Sequence, residues 1–394
     1  MQTDLAIEGT TRVLVPRLDL SASYPPSSAP VFYNPQMELS RDINVACMKV
    51  LAEERSAAHR LTYLDALAGS GIRGLRVSNE VNLSVTLNDN NLEAYRLIKE
   101  NVKRLHPNVE ATHLDANVLL SRTTFGVVDI DPFGSPAPFI DAACRSVREM
   151  LCVTATDTAP LSGAHFNAGV RRYSAVPANT EYHAETGVRI LIGKIAREIV
   201  KYDKAIVPML SHATGHYYRT YVLVGTGAAA ADKCINELGY IGHCTKCGHR
   251  YIIPGLAPSG ISDCAVCEAQ HDLAGPLWLG SLHDRQFCAN VVAKITAGVF
   301  RTSKQAQRII ERCIDELDTV TFFDYHELLK ELQQPPMPIE QLLAALRRSG
   351  YQASRTHFSG TSVKTDADVT TLKKVLRDLS ANAMLQSHDM PPDR

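Results

Sequence analysis

Leu61–Gly74, LTYLDALAGSGIRG, constrains the fold more than any other stretch of this chain. Leu61–Leu67 reads as a strand buried in a sheet, and it runs straight into Gly69-Ser70-Gly71-Ile72-Arg73-Gly74 and a short helix. Glycines there let the backbone approach a ligand closely, and the start of the helix offers unpaired amides. The same grammar recurs downstream. Ser84–Asn88 is a second strand ending in Asp89, with Asn90 or Asn91 able to cap a helix to about Leu105. Val109–Leu114 is a third, ending in Asp115, and Gly126–Asp131 a fourth. Met150–Thr156 is a fifth, and Ala205–Leu210 a sixth after the helix Gly187–Lys201. Tyr218–Val224 is a seventh, with alternation suited to an edge hairpin. Strands alternating with helices over 60–225 predict a doubly wound α/β sheet.

The fourth strand sits in FGVVDIDPFGSPAP, Phe125–Pro138. Val127, Val128 and Ile130 suit a strand buried on both faces. Pro132 then ends the ladder, because proline has no amide hydrogen to donate, and Gly134 permits a turn. Asp129 and Asp131 are thereby expected at the carboxyl edge of a central strand, where open α/β sheets bind ligands. Read alone, the stretch is equally a strand ending in a Pro-Gly turn, with Phe133 in the core.

Elsewhere the sequence is less explicit. Residues 1–35 read as irregular, their prolines and serines forbidding a long regular element. Asp42 is a plausible N-cap for a helix to about Ala58. Near 226–240 the composition shifts to GTGAAAADK, which marks a domain boundary at 228/229. Beyond it, helices are expected near 283–298, 303–316, 323–333 and 338–349, then a short hairpin over Tyr351–Lys364 and a last helix over Val369–Ala381.

At 394 residues the chain can hold two domains, and its 45% apolar and 21% charged content is ordinary for a soluble globular protein. No apolar run reaches the ~18 residues needed to span a bilayer. The N-terminus carries an acid and lacks an apolar core, so no signal peptide is expected. A formal net charge of −1 argues against coating nucleic acid by bulk electrostatics and leaves local patches. Arg301, Lys304, Arg308 and Arg312 form one such stripe at helical spacing, readable as a solvated face or as a phosphate-tracking one. Cys244-x-x-Cys247 and Cys264-x-x-Cys267, with sixteen residues between Cys247 and Cys264, have the spacing of two knuckles closing on a structural Zn2+. The other six of the ten cysteines stand alone, which favours a reducing compartment over a disulfide framework.

G-x-G-x-x-G after a strand, with Asp89 twenty residues beyond Gly69, fits a dinucleotide fingerprint as well as other cofactors. An acid after the second strand would bind a ribose in either case. Asp115, in LDAN, ends the third strand where an adenine amino group would need an acceptor. Acids ending strands two, three and four, with an acid-Pro-aromatic turn on the fourth, are the layout of class I S-adenosyl-L-methionine methyltransferases. Asp131-Pro132-Phe133-Gly134 suits a nucleobase amine: a carboxylate and a backbone carbonyl can accept its two hydrogens, and a ring can stack on the base. A nicotinamide-dependent oxidoreductase with a structural zinc and a catalytically silent RNA-binding protein stay open as alternatives.

The chain closely resembles the tRNA (guanine-26-N2)-dimethyltransferase family over nearly its whole length. The resemblance lies in Glu8-Gly9, VFYNPQMELSRD, DALAGSGIRGLR, Asp89, LDAN, DIDPFGSP, TDTAPLSG, ETGVRILIG, HYYRTY and the two cysteine pairs. It implies a Rossmann-like class I methyltransferase domain with a seven-stranded sheet over 1–228. It implies a C-terminal α+β, tRNA-binding domain over 229–394, with a zinc-ribbon-like insertion at about 240–275. It further implies a cytoplasmic enzyme that uses S-adenosyl-L-methionine to put one or two methyl groups on N2 of guanosine 26 of tRNA. No obligate protein partner is evident. By position, Arg41, Asp65, Gly69, Gly71, Arg73, Asp89, Asp115 and Ala116 are implied as cofactor contacts. Asp131, with Phe133, is implied as the amine-orienting pair, and Cys244, Cys247, Cys264 and Cys267 as the zinc ligands. Two positions depart from the family pattern: Ser40, where Asn is usual, and Gly215, where Asp usually precedes the His-Tyr pair.

Overall fold

The computed structural model describes residues 1–17, 30–55, 61–105, 109–258 and 263–388. The chain opens with a hairpin, β1 (Thr3–Glu8) and β2 (Thr11–Pro16), paired antiparallel. This corrects the expectation of irregular structure before residue 35. Gly9, at φ +56°, makes the tight turn between alternating strands.

The strands β3 (Thr62–Asp65), β4 (Ser84–Asn88), β5 (Glu110–Thr112), β6 (Phe125–Ile130), β7 (Val147–Ala155), β8 (Lys204–Thr214) and β9 (Tyr217–Thr226) form one seven-stranded sheet. Its order is β5-β4-β3-β6-β7-β9-β8. The first five run parallel, and β9 and β8 are antiparallel additions. Chain progression reverses between β3 and β6, the switch point at which such sheets hold ligands. β9 pairs with both β7 and β8, so the expected hairpin closes one edge of the sheet, with β8 as its outermost strand. β5 is also shorter than expected, because Leu114 N–H turns to the Asn88 side chain at 3.1 Å.

Alternate residues of β6 face opposite layers. Val128 and Ile130 join a core with the helices Ala137–Ser146 and His183–Ile199, whereas Val127 joins one with the helices Glu38–Arg55, Ile72–Val81, Arg285–Ala297 and Ser303–Asp315. A strand covered on both faces cannot alternate apolar with polar, which explains its continuous apolar run. The helix Glu38–Arg55 starts four residues before Asp42. Asp42 is instead fully buried, accepting from Arg76 Nη1 at 2.6 Å and from the Thr302 hydroxyl at 2.6 Å. Ala58 lies outside the described residues.

A second sheet, of β10 (Leu238–His243), β11 (Arg250–Pro254) and β12 (Asp272–Trp278), carries the cysteine pairs at its turns. It packs on the helix His183–Ile199 so closely that a Cβ on Gly193 would come 3.0 Å from the Leu277 backbone. A separate core begins at Phe323, where β13 (Phe323–Asp324), β14 (Ala353–Arg355) and β15 (Ser362–Thr365) meet three helices, the last being Val369–His388. No helix among the described residues is long and apolar enough to cross a membrane.

Candidate active site

A cavity of about 870 Å³ opens at the carboxyl ends of β3, β4, β6 and β7. The glycine loop forms one wall. Gly69, at φ +55°, has Phe32 O 2.9 Å from where a Cβ would sit, so only glycine fits. Its N–H donates to Asp89 Oδ2 at 2.8 Å, and Asp89 Oδ1 accepts from Asn91 N–H at 2.8 Å. Burial raises the Asp89 carboxyl above its ordinary range against those two hydrogen bonds. Asp65 lies at the floor, accepting from Gly74 N–H at 3.1 Å. Burial, helped by the charge of Asp129, pushes its carboxyl up to about 7.

Beside the cavity lies a buried ionic network centred on Asp129. Asp129 receives both Arg219 terminal nitrogens at 2.7 Å and the Tyr63 hydroxyl at 2.6 Å. Burial would raise this carboxyl, but the Arg219 and Arg73 charges overcome it and hold it below the usual carboxylate range. Two residues on, Asp131 lines the cavity just past the end of β6 and pairs with Arg73 Nη2. Arg73 Nη2 also donates to Ser40 at 3.3 Å, while its Nη1 is buried with no partner among the described residues. A buried guanidinium nitrogen without an acceptor beside a cavity suits an anionic ligand group. Arg41 lines the cavity too, but Glu8 grips it at 2.7 and 2.6 Å. It is a fixed wall more than a free donor.

Across the cavity, Phe133 is 71% exposed, so it is not a core residue. Its ring rests on Phe32, with centroids 5.6 Å apart at 59°. An aromatic pair left in water at a cavity mouth suits capture of a planar base.

Seven of the ten proposed catalytic and cofactor residues thus meet in one cavity: Arg41, Asp65, Gly69, Arg73, Asp89, Asp131 and Phe133. Three do not line it. Gly71, at φ +81°, precedes the helix Ile72–Val81, and a Cβ there would press on Ile98 and Leu87. Asp115 is exposed and caps the helix Ala116–Arg122, its Oδ1 accepting from Asn117 and Val118 N–H at 2.9 and 3.1 Å. Ala116 is buried behind it. Sequence reasoning missed Phe32, Asn34, Ser135, Thr156 and His216, all in the lining. Phe32 and Asn34 lie in a proline-rich approach with no periodicity to flag it, and the others lie in turns.

The four cysteine sulfurs lie within 4.8 Å of one another, with Cys244–Cys267 and Cys247–Cys264 at 3.5 Å. Tetrahedral zinc at a Zn–S distance of about 2.3 Å spaces sulfurs about 3.8 Å apart, so the set fits that ion with no fourth position open. His283, Cys313 and His357 also cluster. There, however, His283 Nε2 and His357 Nδ1 meet Glu316 at 2.8 and 2.9 Å, and Ser211 and Ala213 N–H face the opposite ring nitrogens at 3.3 and 3.4 Å. A metal-bound imidazole needs a hydrogen on its far nitrogen, which those amides oppose. The cluster is a hydrogen-bonded junction. The basic stripe is likewise mixed: Lys304, Arg308 and Arg312 share their helix face with Glu311 and Asp315, and Arg301 pairs with Glu38 at 3.4 Å.

Comparison with known proteins agrees with this geometry. The model of the family "N2,N2-dimethylguanosine tRNA methyltransferase" matches residues 9–377. The tRNA (guanine(26)-N(2))-dimethyltransferase of Methanosarcina barkeri is 49% identical over 381 residues, covering 95% of this chain and 98% of that protein. That of Methanoculleus marisnigri is 45% identical over 372 residues, covering 94% and 97%. The structure of Trm1 from Pyrococcus horikoshii with S-adenosyl-L-methionine superposes with a TM-score of 0.84 at 35% identity, covering 95% of this chain and 99% of that one. With the match running from the N-terminal hairpin to the last helix, this chain belongs to the N2,N2-dimethylguanosine tRNA methyltransferase family.

Proposed function

We infer that this protein is an S-adenosyl-L-methionine-dependent tRNA methyltransferase that dimethylates N2 of guanosine 26. The observation that carries the reading is that one cavity is lined by Asp89, Asp131, the exposed Phe133 and Arg73, whose Nη1 has no partner among the described residues. When bound, the cofactor supplies a methyl group on a sulfonium, which is already a good leaving group. Arg73 Nη1 would hold its carboxylate and Asp89 its ribose hydroxyls, with Gly69 leaving room for close approach. Asp115 and Ala116 stand outside the lining, so their adenine contact rests on the family resemblance alone.

Asp131 accepts a hydrogen of the target amine through Oδ1, which has no partner among the described residues, and orients the nitrogen lone pair. Phe133, backed by Phe32, stacks on the base. Cys244, Cys247, Cys264 and Cys267 hold a structural Zn2+ that ties the turns of the second sheet. The cofactor-binding domain is assigned to 1–228 and the tRNA-binding domain to 229–394, and the site of action to the cytoplasm. Nucleoside mass analysis of tRNA incubated with the protein and cofactor tests the reading. N2,N2-dimethylguanosine is the expected product, and its absence with folded, cofactor-binding protein overturns the assignment.

A further inference from the structure

The loop that follows β6 is held from one side, by the residues that follow β7. Gly134 sits at φ +99°, and a Cβ there would meet nothing within 4 Å, so no steric wall fixes this turn. Hydrogen bonds do. Gly134 N–H donates to Thr156 Oγ1 at 2.8 Å, and the Thr156 hydroxyl faces the Gly134 carbonyl at 3.3 Å. Thr156 N–H donates to that same carbonyl at 3.1 Å. The next loop residue is pinned too. Tyr173 OH donates to Asp157 Oδ1 at 2.6 Å, leaving its oxygen to accept from Ser135 Oγ at 3.0 Å. Arg172 Nη1 holds the other Asp157 oxygen at 3.0 Å. Two consecutive loop residues are therefore pinned by two consecutive residues, Thr156 and Asp157, the second through Tyr173. Asp131, Pro132 and Phe133 immediately precede the pins, and Thr156 itself lines the cavity.

We propose that Thr156, and Tyr173 acting through Ser135, are positioning residues for methyl transfer that matter more to the second methyl than to the first. The proposal rests on the dimethylation reading above. In each transfer one N–C bond forms as the sulfonium C–S bond breaks, and a proton leaves the amine through Asp131 to water. An unmethylated guanine amine brings two N–H bonds, enough for both the Asp131 carboxylate and a backbone carbonyl of the loop to fix its orientation. A singly methylated amine brings one. The substrate then contributes less to its own alignment, and the fixed position of Asp131 and Phe133 supplies the remainder. Misplacement by about 1 Å can cost on the order of 100-fold in rate. A loosened loop is thus felt most where a single hydrogen bond orients the nitrogen.

Thr156→Val keeps the side-chain shape and removes the hydroxyl, Thr156→Ser keeps the hydroxyl, and Tyr173→Phe keeps the buried ring. Single-turnover rates on the full-length protein are measured separately from unmodified tRNA and from tRNA already carrying N2-methylguanosine, with cofactor affinity measured alongside. Thr156→Val is expected to slow the second transfer about 10-fold or more and the first about 3-fold or less, so that N2-methylguanosine accumulates. Cofactor affinity stays unchanged, Thr156→Ser restores the rates, and Tyr173→Phe shows the same skew more weakly. Wild-type product ratios for both Thr156→Val and Tyr173→Phe overturn the proposal. So does a serine variant as slow as the valine one, since the effect is then packing, and so does equal slowing of both transfers. If Thr156→Val does not fold, the skew in Tyr173→Phe decides. A wild-type protein that makes no N2-methylated guanosine at all defeats the functional reading instead.

Discussion

Asp131 and Glu316 both sit in ionic clusters, and they differ in how many of their lone pairs are taken. Glu316 stands at the junction between the catalytic sheet and the C-terminal unit. It accepts from His283 Nε2 at 2.8 Å, His357 Nδ1 at 2.9 Å, the Thr356 hydroxyl at 2.7 Å and His357 N–H at 3.0 Å. Burial works against its charge, yet the two histidines and these hydrogen bonds hold its carboxyl well below the ordinary range. Nothing is left for a ligand. Among the described residues Asp131 has one side-chain partner, Arg73 on Oδ2, and it lines the cavity. Saturation marks an acid that holds the molecule together, and an unfilled lone pair marks one that can work. Asp129, on β6 and two residues before Asp131, falls on the saturated side.

The largest expected effect breaks the saturated member. Glu316→Ala leaves two histidine N–H groups, a hydroxyl and an amide without their acceptor, and should cost about 3–5 kcal/mol of stability by denaturant titration. Methyl transfer per folded molecule should be nearly normal; a stable variant with lost activity would reverse the assignment of roles.

At the unsaturated member the damage should fall on rate. Asp131→Ala is expected to slow single-turnover methylation by at least ~100-fold, about 2.7 kcal/mol, with cofactor affinity little changed. Asp89→Ala should show the converse. It loses charge-assisted hydrogen bonds worth roughly 1.5–3 kcal/mol each, and cofactor binding by calorimetry should weaken accordingly. Equal behaviour of the two variants would mean that Asp89 and Asp131 do not divide the work.

Acid perturbs the same junction without a substitution. Burial is the main cause pulling His212 well below its ordinary range and His283 below it, so both stay neutral in the fold. Their folded pKa values are depressed, so the unfolded chain binds protons that the native one refuses. The stability these two groups contribute is fully present above about pH 6.5 and falls as pH drops below it, by up to about 1.4 kcal/mol per pH unit for each group, while Asp65, with its carboxyl raised to about 7, contributes in the opposite sense. In an Asp65→Asn background, which removes that opposing group, a melting temperature independent of pH between 7 and 5 would argue against a neutral junction.

Much of this was legible in the sequence, for local reasons. Strand period, the glycine loop and a proline that ends a ladder are written in adjacent residues, and they placed β3, β4, β6 and the acids at their ends. The paired cysteines were legible because knuckle spacing is itself local. The hairpin β1–β2 carried a signal too, the apolar triplets Leu5-Ala6-Ile7 and Val13-Leu14-Val15 on either side of Gly9-Thr10, that the nearby prolines and serines obscured. Asp42 was misread because its partners, Arg76 and Thr302, are far along the chain. Asp115 stands outside the cavity lining for a local reason. An acid before a helix is also an N-cap, and here that local demand has claimed one of its oxygens. The position of β9 inside the sheet depends on pairing order, which no single strand encodes.

One rung of the β8–β9 ladder bears on how the protein could have been assembled over evolutionary time. His212 and Arg219 are direct partners across that ladder. Arg219 reaches down to Asp129, while the neighbours of His212, Ser211 and Ala213, offer their amides to His283 and His357. The same two strands therefore serve as lining for the catalytic half and as mortise for the C-terminal half. A fragment stopping at residue 228 would keep every side chain named in the cavity yet lose whatever braces the strand behind Arg219. The two halves are thus joined through β8, and exchanging the C-terminal half would leave the Ser211 and Ala213 amides without these histidines.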